Sequence, residues 1–334
     1  MGKVTRFREM EAGTKYATAI MVMNIEEKSK KSDGAPYVQI SAFDGAGTEK
    51  LNFWDYTKSR FEELGVTQGT ILQVTIVPTK KNSGSGNFYN IDNNDWSINT
   101  DPDITDSDFV HKAPIDPDEC FQYILRLIHS VDSNPNNEGP YRSLAHLAET
   151  ILKENEEAFK RSSAAVAMHH NFLAGLLYHT TRMITLAFSV CGTYKSLDKE
   201  LLVCGTALHD IGKIICYDTK DVGEATVTVK GRLFDHALVG IMMIDDAAEK
   251  DVYNPEKIMM LEHMLASHHG KKEWDAITTP AFPEAEMLHL IDMIDSRMNM
   301  FEEAYPGQEA GTISDEKVFG LENSYIYKSL YPEA

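Results

Sequence analysis

Two hydrophobic periods divide this chain, and any fold must accommodate both. From about Lys15 to Ile98 apolar and polar residues alternate, in "YATAIMVMNIEE", "PYVQISAFD", "EKLNFWD", "TILQVTIVPT" and "NFYNIDNNDWSI". A period of two sends successive side chains to opposite faces, so each stretch predicts a strand. A short helix is expected near Ser59 to Leu64, between the third and fourth strands. Five strands with a helix after the third is the order of an OB barrel. Residues 99–117, "NTDPDITDSDFVHKAPIDP", mix proline and aspartate without a sustained period and read as an acidic linker. Beyond them the apolar spacing changes to three and four. It predicts helices over roughly 118–131, 141–153, 156–168, 170–191, 198–212, 235–249, 255–268 and 284–303. The expected fold is multidomain: an all-β OB-fold barrel over residues 1–98, the linker over 99–117, and an all-α bundle over 118–334.

Charge and histidine follow the same division. Residues 1–100 hold 12 Lys and Arg against 12 Asp and Glu, so the formal net charge of -19 belongs wholly to residues 101–334. All 12 histidines lie at or after His111. So acidic a surface argues against broad adhesion to nucleic acid or anionic membrane. It leaves room for a local basic site. On the barrel register, the loops "KSKKSDG" and "KKNSGSG" flank the ligand face and bring together Lys28, Lys30, Lys31, Lys80 and Lys81. Each loop alone could be a solvated hairpin tip. Their pairing on one rim points to single-stranded RNA or DNA as partner. Phe43, Phe53, Trp54, Phe88 and Tyr89 could offer stacking surfaces, although barrel core is the expected place for most of them.

No stretch approaches the roughly 18 apolar residues of a membrane span, and the N-terminus lacks the apolar segment of a signal peptide. Cys120, Cys191, Cys204 and Cys216 form no C-x-x-C pair and sit in apolar surroundings, which predicts buried reduced thiols. A cytoplasmic location is the expectation. A homo-oligomer is compatible with all of this.

The functional signal is "TALHDIGKII". Leu201, Cys204, Leu208 and Ile211 form a buried helical stripe, and His209 and Asp210 arrive in its last turn, followed by Gly212, expected to close the helix in a left-handed conformation, and Lys213. An imidazole and a carboxylate half-buried without partners would cost several kcal/mol, and a divalent cation removes that cost. A His-Asp dipeptide alone is weak. Here it is accompanied by His179 in "LLYHTTR", His236 in "RLFDHALVG", His268 and His269 in "LASHHGKKEW", and Asp292 and Asp295 in "LHLIDMIDSR". Imidazoles and carboxylates projecting from separate helices are how a bundle builds a metal site. Nitrogen and oxygen donors without thiolate favour Mn, Fe, Mg or Zn. Counting only one of the neighbouring aspartates Asp292 and Asp295, seven candidates exceed the need of one ion. Two ions bridged by Asp210 would use them, and a two-metal site suits in-line attack of water on a phosphoester. Lys213 would then pair with a phosphate oxygen, or else stabilise a helix end.

"HT", "HDIGK", "DHALVG", "SHHG" and "IDMIDSRMN", in this order, resemble the HD-domain metal-dependent phosphohydrolases. With the barrel, "HHNFLAGLLYHT" and "EAEMLHLIDMIDSRMNMFE" are similar more narrowly to the YhaM-type 3′–5′ exoribonucleases, over nearly the whole chain to about residue 303. The resemblance implies an HD domain over 118–334 and a nucleic-acid-binding OB domain before it. It makes His179 the first ligand, His209 and Asp210 the signature pair, and Asp292 the closing carboxylate, with His236, His268 and His269 completing a second-metal set. Asp295 is expected to orient a neighbour. Asp210, Lys213 and His209 become the catalytic candidates, and His169 and His170, about two and a half turns before His179, become substrate contacts alongside Lys213 and the barrel lysines. The implied activity is 3′–5′ cleavage of single-stranded RNA, with Mn2+ favoured over Mg2+, Fe2+ or Zn2+. Hydrolysis of a small nucleotide or cyclic dinucleotide is the second reading, and a non-catalytic single-strand-binding protein the third. After "SHHG" this chain departs from the family's short Gly-Ser-Pro segment with "KKEWDAITTPAFP", beside the expected mouth of the site.

Overall fold

The structure, a computed structural model, describes residues 4–30, 32–80, 87–110, 112–165, 172–220, 223, 225–305 and 308–331, with the side chains of residues 93 and 94 left out. It forms two compact units, one of residues 1–111 and 304–334 and one of residues 112–303.

In the first unit, strands β1 (Tyr16–Ser29), β2 (Pro36–Phe43), β3 (Thr48–Trp54), β4 (Ile71–Lys80) and β5 (Asn87–Ile98) close a barrel in the order β1-β2-β3-β5-β4. Neighbours run antiparallel except β3 and β5, whose short parallel pairing at Leu51–Tyr89 and Asn52–Asn90 shuts the barrel. Helix α1 (Lys58–Glu63) follows β3, its first turn capped by the Thr57 hydroxyl accepting from the Arg60 N–H. This is the expected OB order. β1 breaks the alternation with six successive buried residues, Thr18–Met23. The stretch before it explains part of this: Thr5 exchanges hydrogen bonds with the Thr18 hydroxyl, and Phe7 and Met10 join the barrel core. Phe43, Phe53 and Tyr89 are buried, whereas Trp54 and Phe88 remain exposed.

The second unit is helical: α2 (Pro117–His129), α3 (Leu144–Glu154), α4 (Glu156–Arg161), α5 (Gly175–Thr193), α6 (Lys199–Leu208), α7 (Lys213–Cys216), α8 (Val229–Ala248), α9 (Pro255–Ser267) and α10 (Pro283–Ala304), with a hairpin of β6 (Tyr217–Thr219) and β7 (Ala225–Val227) after α7. The helix expected over 156–168 stops at Arg161. Ser162 turns extended, its hydroxyl bonds back to Ala158 O, and its carbonyl accepts from Leu176 N. Such side-chain competition for backbone groups is why serine ends helices. α5 begins at Gly175, later than expected, after Ala174 at φ 62.

α6 is the centre of this unit. Every residue from Glu200 to Leu208 is buried, so the helix is enclosed on all sides rather than along one stripe. Gly205 lets α9 approach: a Cβ there would lie 2.4 Å from the Met264 methyl. Past Leu208 the chain tightens into i→i−3 turns, with Ile211 N bonded to Leu208 O and Lys213 N to Asp210 O. Gly212 is not left-handed, contrary to expectation; its φ and ψ are -61 and -19. It is required by proximity instead, because a Cβ would stand 2.0 Å from His236 O and 2.7 Å from Gly240 N. That contact brings α8 against the turn that carries His209 and Asp210. All four cysteines are free thiols, three of them buried. No described helix is long and apolar enough to cross a membrane.

Candidate metal centre

Where α6 ends, His209 directs Nδ1 at the carbonyl oxygen of Thr206, 2.9 Å away and one turn back. A carbonyl only accepts, so Nδ1 carries a hydrogen and Nε2 is the nitrogen left to face the site. His268, at the end of α9, repeats the device with Nδ1 2.6 Å from Leu265 O. His179 on α5 and His236 on α8 are held by carboxylates instead: His179 Nδ1 lies 2.7 Å from Asp295 Oδ2, and His236 Nδ1 lies 2.9 Å from Asp235 Oδ1. Metal-ligating imidazoles are characteristically fixed through their second nitrogen in this way.

The four Nε2 atoms converge on Asp210. Its Oδ2 is 3.2 Å from His209 Nε2 and 3.8 Å from His179 Nε2, while Oδ1 is 3.3 Å from His236 Nε2 and 3.7 Å from His268 Nε2. Lys213 Nζ donates to Oδ2 at 2.6 Å. Oδ1 is buried and has no hydrogen-bond partner among the described residues. Leaving such an oxygen unsatisfied costs about 1–3 kcal/mol, and more when it is charged. The Nε2 atoms also face one another, His209 to His179 at 3.3 Å and His236 to His268 at 3.4 Å. Lone pairs at that separation repel unless a proton or a cation joins them. Ligand atoms of His179, His209 and Asp292 form one group, and those of His236, His268 and His269 another, each within 4.8 Å. Nitrogen and oxygen donors around a buried, unpartnered carboxylate oxygen fit a divalent cation.

The electrostatics agree with that reading. Burial pulls His179 down, yet Asp292 and Asp295 outweigh it and bring its pKa to about 9. Burial raises Asp210, but Lys213, His209 and His236 overcome it and hold the carboxylate well below its usual range. Asp292 is likewise depressed, burial being outweighed by His179. Lys213 is raised: burial opposes its charge and Asp210 restores it. His268 is pushed well below its ordinary value by burial and the neighbouring His269, and burial lowers His269 as well. One group therefore gathers negative charge around protonated His179. The other is built from imidazoles, two of which stay neutral.

The seven candidate ligands thus gather as two groups about the Asp210 carboxylate, which Lys213 also contacts. Asp295 bonds His179 on one side and Arg182 Nε, at 2.5 Å, on the other. Arg182 is held in turn by Glu302, at 2.7 Å. In the barrel unit, Lys28 Nζ is 3.1 Å from Glu26 and 2.5 Å from the Gln39 amide oxygen, Lys30 is 2.6 Å from Asp55, and Lys80 is exposed. Lys31, Lys81, His169 and His170 lie outside the described residues. Three positions escape the sequence reading. Asp235 is adjacent to the candidate ligand His236, and Arg182 sits one turn from His179. His289, buried on α10, donates from Nδ1 to His268 O at 2.9 Å and packs its ring against Gly270, where φ is +77. The only sequence signal for them is nearness to a ligand, which many idle residues share.

Residues 176–299 match the HD domain family. The fold and site therefore define a two-part protein: an OB-like barrel and an HD domain of the metal-dependent hydrolase class. Over 312 residues, covering 93% of this chain and 94% of the relative, the sequence is 30% identical to the 3′-5′ exoribonuclease YhaM of Bacillus subtilis (strain 168). The chain belongs to the YhaM family.

Proposed function

We propose that this protein is a metal-dependent 3′–5′ exonuclease that hydrolyses phosphodiester bonds of single-stranded RNA, and of DNA as a secondary substrate, using two divalent cations, Mn2+ foremost. The observation that carries the reading is the buried Asp210 carboxylate, one oxygen facing each ligand group and Oδ1 unpartnered among the described residues. Bound there, two cations would lower the pKa of water and hold the attacking and leaving oxygens of an in-line displacement. His179, His209 and Asp292 would hold one cation, His236, His268 and His269 the other, and Asp210 would fix the spacing between them. Lys213 remains charged and spends one N–H on Asp210, so its other hydrogens are available to a phosphoryl oxygen, where they would offset charge developing in the transition state. Lys28, Lys30 and Lys80, with Lys31, Lys81, His169 and His170, are the proposed contacts to the strand. Kinship to an enzyme named as a 3′-5′ exoribonuclease supports the direction and the substrate.

Purified protein given Mn2+ and a 5′-labelled single-stranded oligoribonucleotide is expected to yield a descending ladder. Asp210→Ala should lower the rate on the order of a thousandfold or more and abolish metal retention. An inert substrate in the presence of bound metal would overturn the nuclease reading. A second reading, hydrolysis of a small nucleotide, draws on the concentration of the -19 charge in residues 101–334, which suits a small metal-chelated substrate. Faster turnover of free nucleotides than of oligonucleotides would favour it.

A further inference from the structure

The two ligand groups are built alike but supported differently. Each has one histidine at a helix end, locked by a backbone carbonyl, and one within a helix, locked by a carboxylate. The carboxylate behind His179 is Asp295, whose side chain is only 1% exposed and is clamped by Arg182. The carboxylate behind His236 is Asp235, 54% exposed. Asp235 also interrupts α8 with φ 62 and ψ 159, a backbone region that is nearly exclusive to glycine. Its Oδ1 accepts from the Ala237 N–H at 3.1 Å as well as from His236, so one carboxylate caps the resumed helix and aims the imidazole. The charge differs too. Among candidate ligands, the His179 group has Asp292 of its own besides its share of Asp210, whereas the His236 group has the shared carboxylate alone, Asp235 being engaged behind the ring.

We infer that Asp235 is a positioning residue for His236, and that the two cation sites are consequently unequal: the His179–His209–Asp292 site fills first and tightly, and the His236–His268–His269 site fills second, with an affinity set by Asp235. A strained backbone at this position is retained because glycine, which would relieve the strain, would leave His236 Nδ1 without an acceptor. This inference rests on the reading of the centre as a two-cation site.

The test is calorimetric titration of Mn2+ into chelator-stripped, full-length protein, with bound metal counted by elemental analysis after gel filtration. Wild type should show two events separated by roughly tenfold or more in Kd. Asp235→Gly should weaken the second event by about 10–100-fold, as loss of a ligand's supporting group does, and leave the first unchanged. Its thermal midpoint should equal or exceed that of wild type, which a general structural defect would not give. Asp235→Asn, which keeps an acceptor and the cap, should weaken the second event less. His236→Ala should remove the second event alone. A second event unaltered in Asp235→Gly, or both events weakened equally, would overturn the inference. No binding in wild type would instead remove the two-cation reading beneath it.

Discussion

A cation bound by His179 would have to displace a proton from it. The ring is flanked by Asp292 at 3.3 Å and Asp295 at 2.7 Å, which bring its pKa to about 9 against burial. A histidine raised from about 6.5 in the unfolded chain contributes stability that is fully present below that value and fades as pH rises through the folded one. The metal-free protein should therefore lose thermal stability between about pH 6.5 and pH 9, and saturating Mn2+, which takes the place of the proton on Nε2, should remove that decline. Calorimetry supplies a second measure. At pH 7 metal uptake should release close to one proton from His179, seen as a binding enthalpy that changes with the ionisation enthalpy of the buffer. Asp295→Asn should reduce that release, since half of the support for the imidazolium is then neutral. Proton release unchanged by Asp295→Asn would place the titrating group elsewhere.

At the scale of elements, the centre depends on how closely α8 approaches the turn after α6. Gly212 has ordinary right-handed dihedrals, yet a Cβ there would overlap the His236 carbonyl at 2.0 Å. Gly212→Ala must push α8 away. It should cost about 1–3 kcal/mol by urea denaturation, in line with overpacking of a close contact, and should weaken metal binding through His236 more than through His209. The turn also marks how far the sequence could be read. The candidate ligand histidines and aspartates stand out in the sequence because each ends or interrupts an apolar helix, where an uncompensated polar group is costly. The barrel was legible because its alternation and the position of one helix admit few closed topologies. The reason for Gly212 was not, since a glycine needed for a left-handed dihedral and one needed for close approach are the same letter. Nor was the place of Asp235: its value lies in a backbone conformation that disfavours its own residue type, and local propensity argues against it. Arg182 and His289 act through partners more than a hundred and about twenty residues away in sequence, on Asp295 and on the His268 carbonyl.

For the whole molecule, a barrel without net charge is joined in one chain to a strongly acidic helical unit of the metal-dependent hydrolase class. Trp54 on β3 is exposed, pairs with Tyr37 at 4.7 Å between ring centroids, and has Lys30 Nζ 5.6 Å from its own ring centre. An exposed indole with a cation above it is the kind of platform on which a base stacks, worth about 1–3 kcal/mol per base. If the barrel holds the strand, Trp54→Ala should raise KM for an oligoribonucleotide of about twenty residues roughly 5–150-fold, the equivalent of that energy, while leaving kcat and the hydrolysis of a dinucleotide unchanged. Lys30→Ala should act on KM alone and flatten its dependence on salt, because one fewer phosphate neutralisation reduces the slope. The metal centre is untouched by either substitution, so a long-substrate defect with intact short-substrate turnover separates strand holding from chemistry. Equal effects on both substrates, or none on either, would detach the barrel from substrate binding and leave the small-nucleotide reading as the better account of the acidic unit.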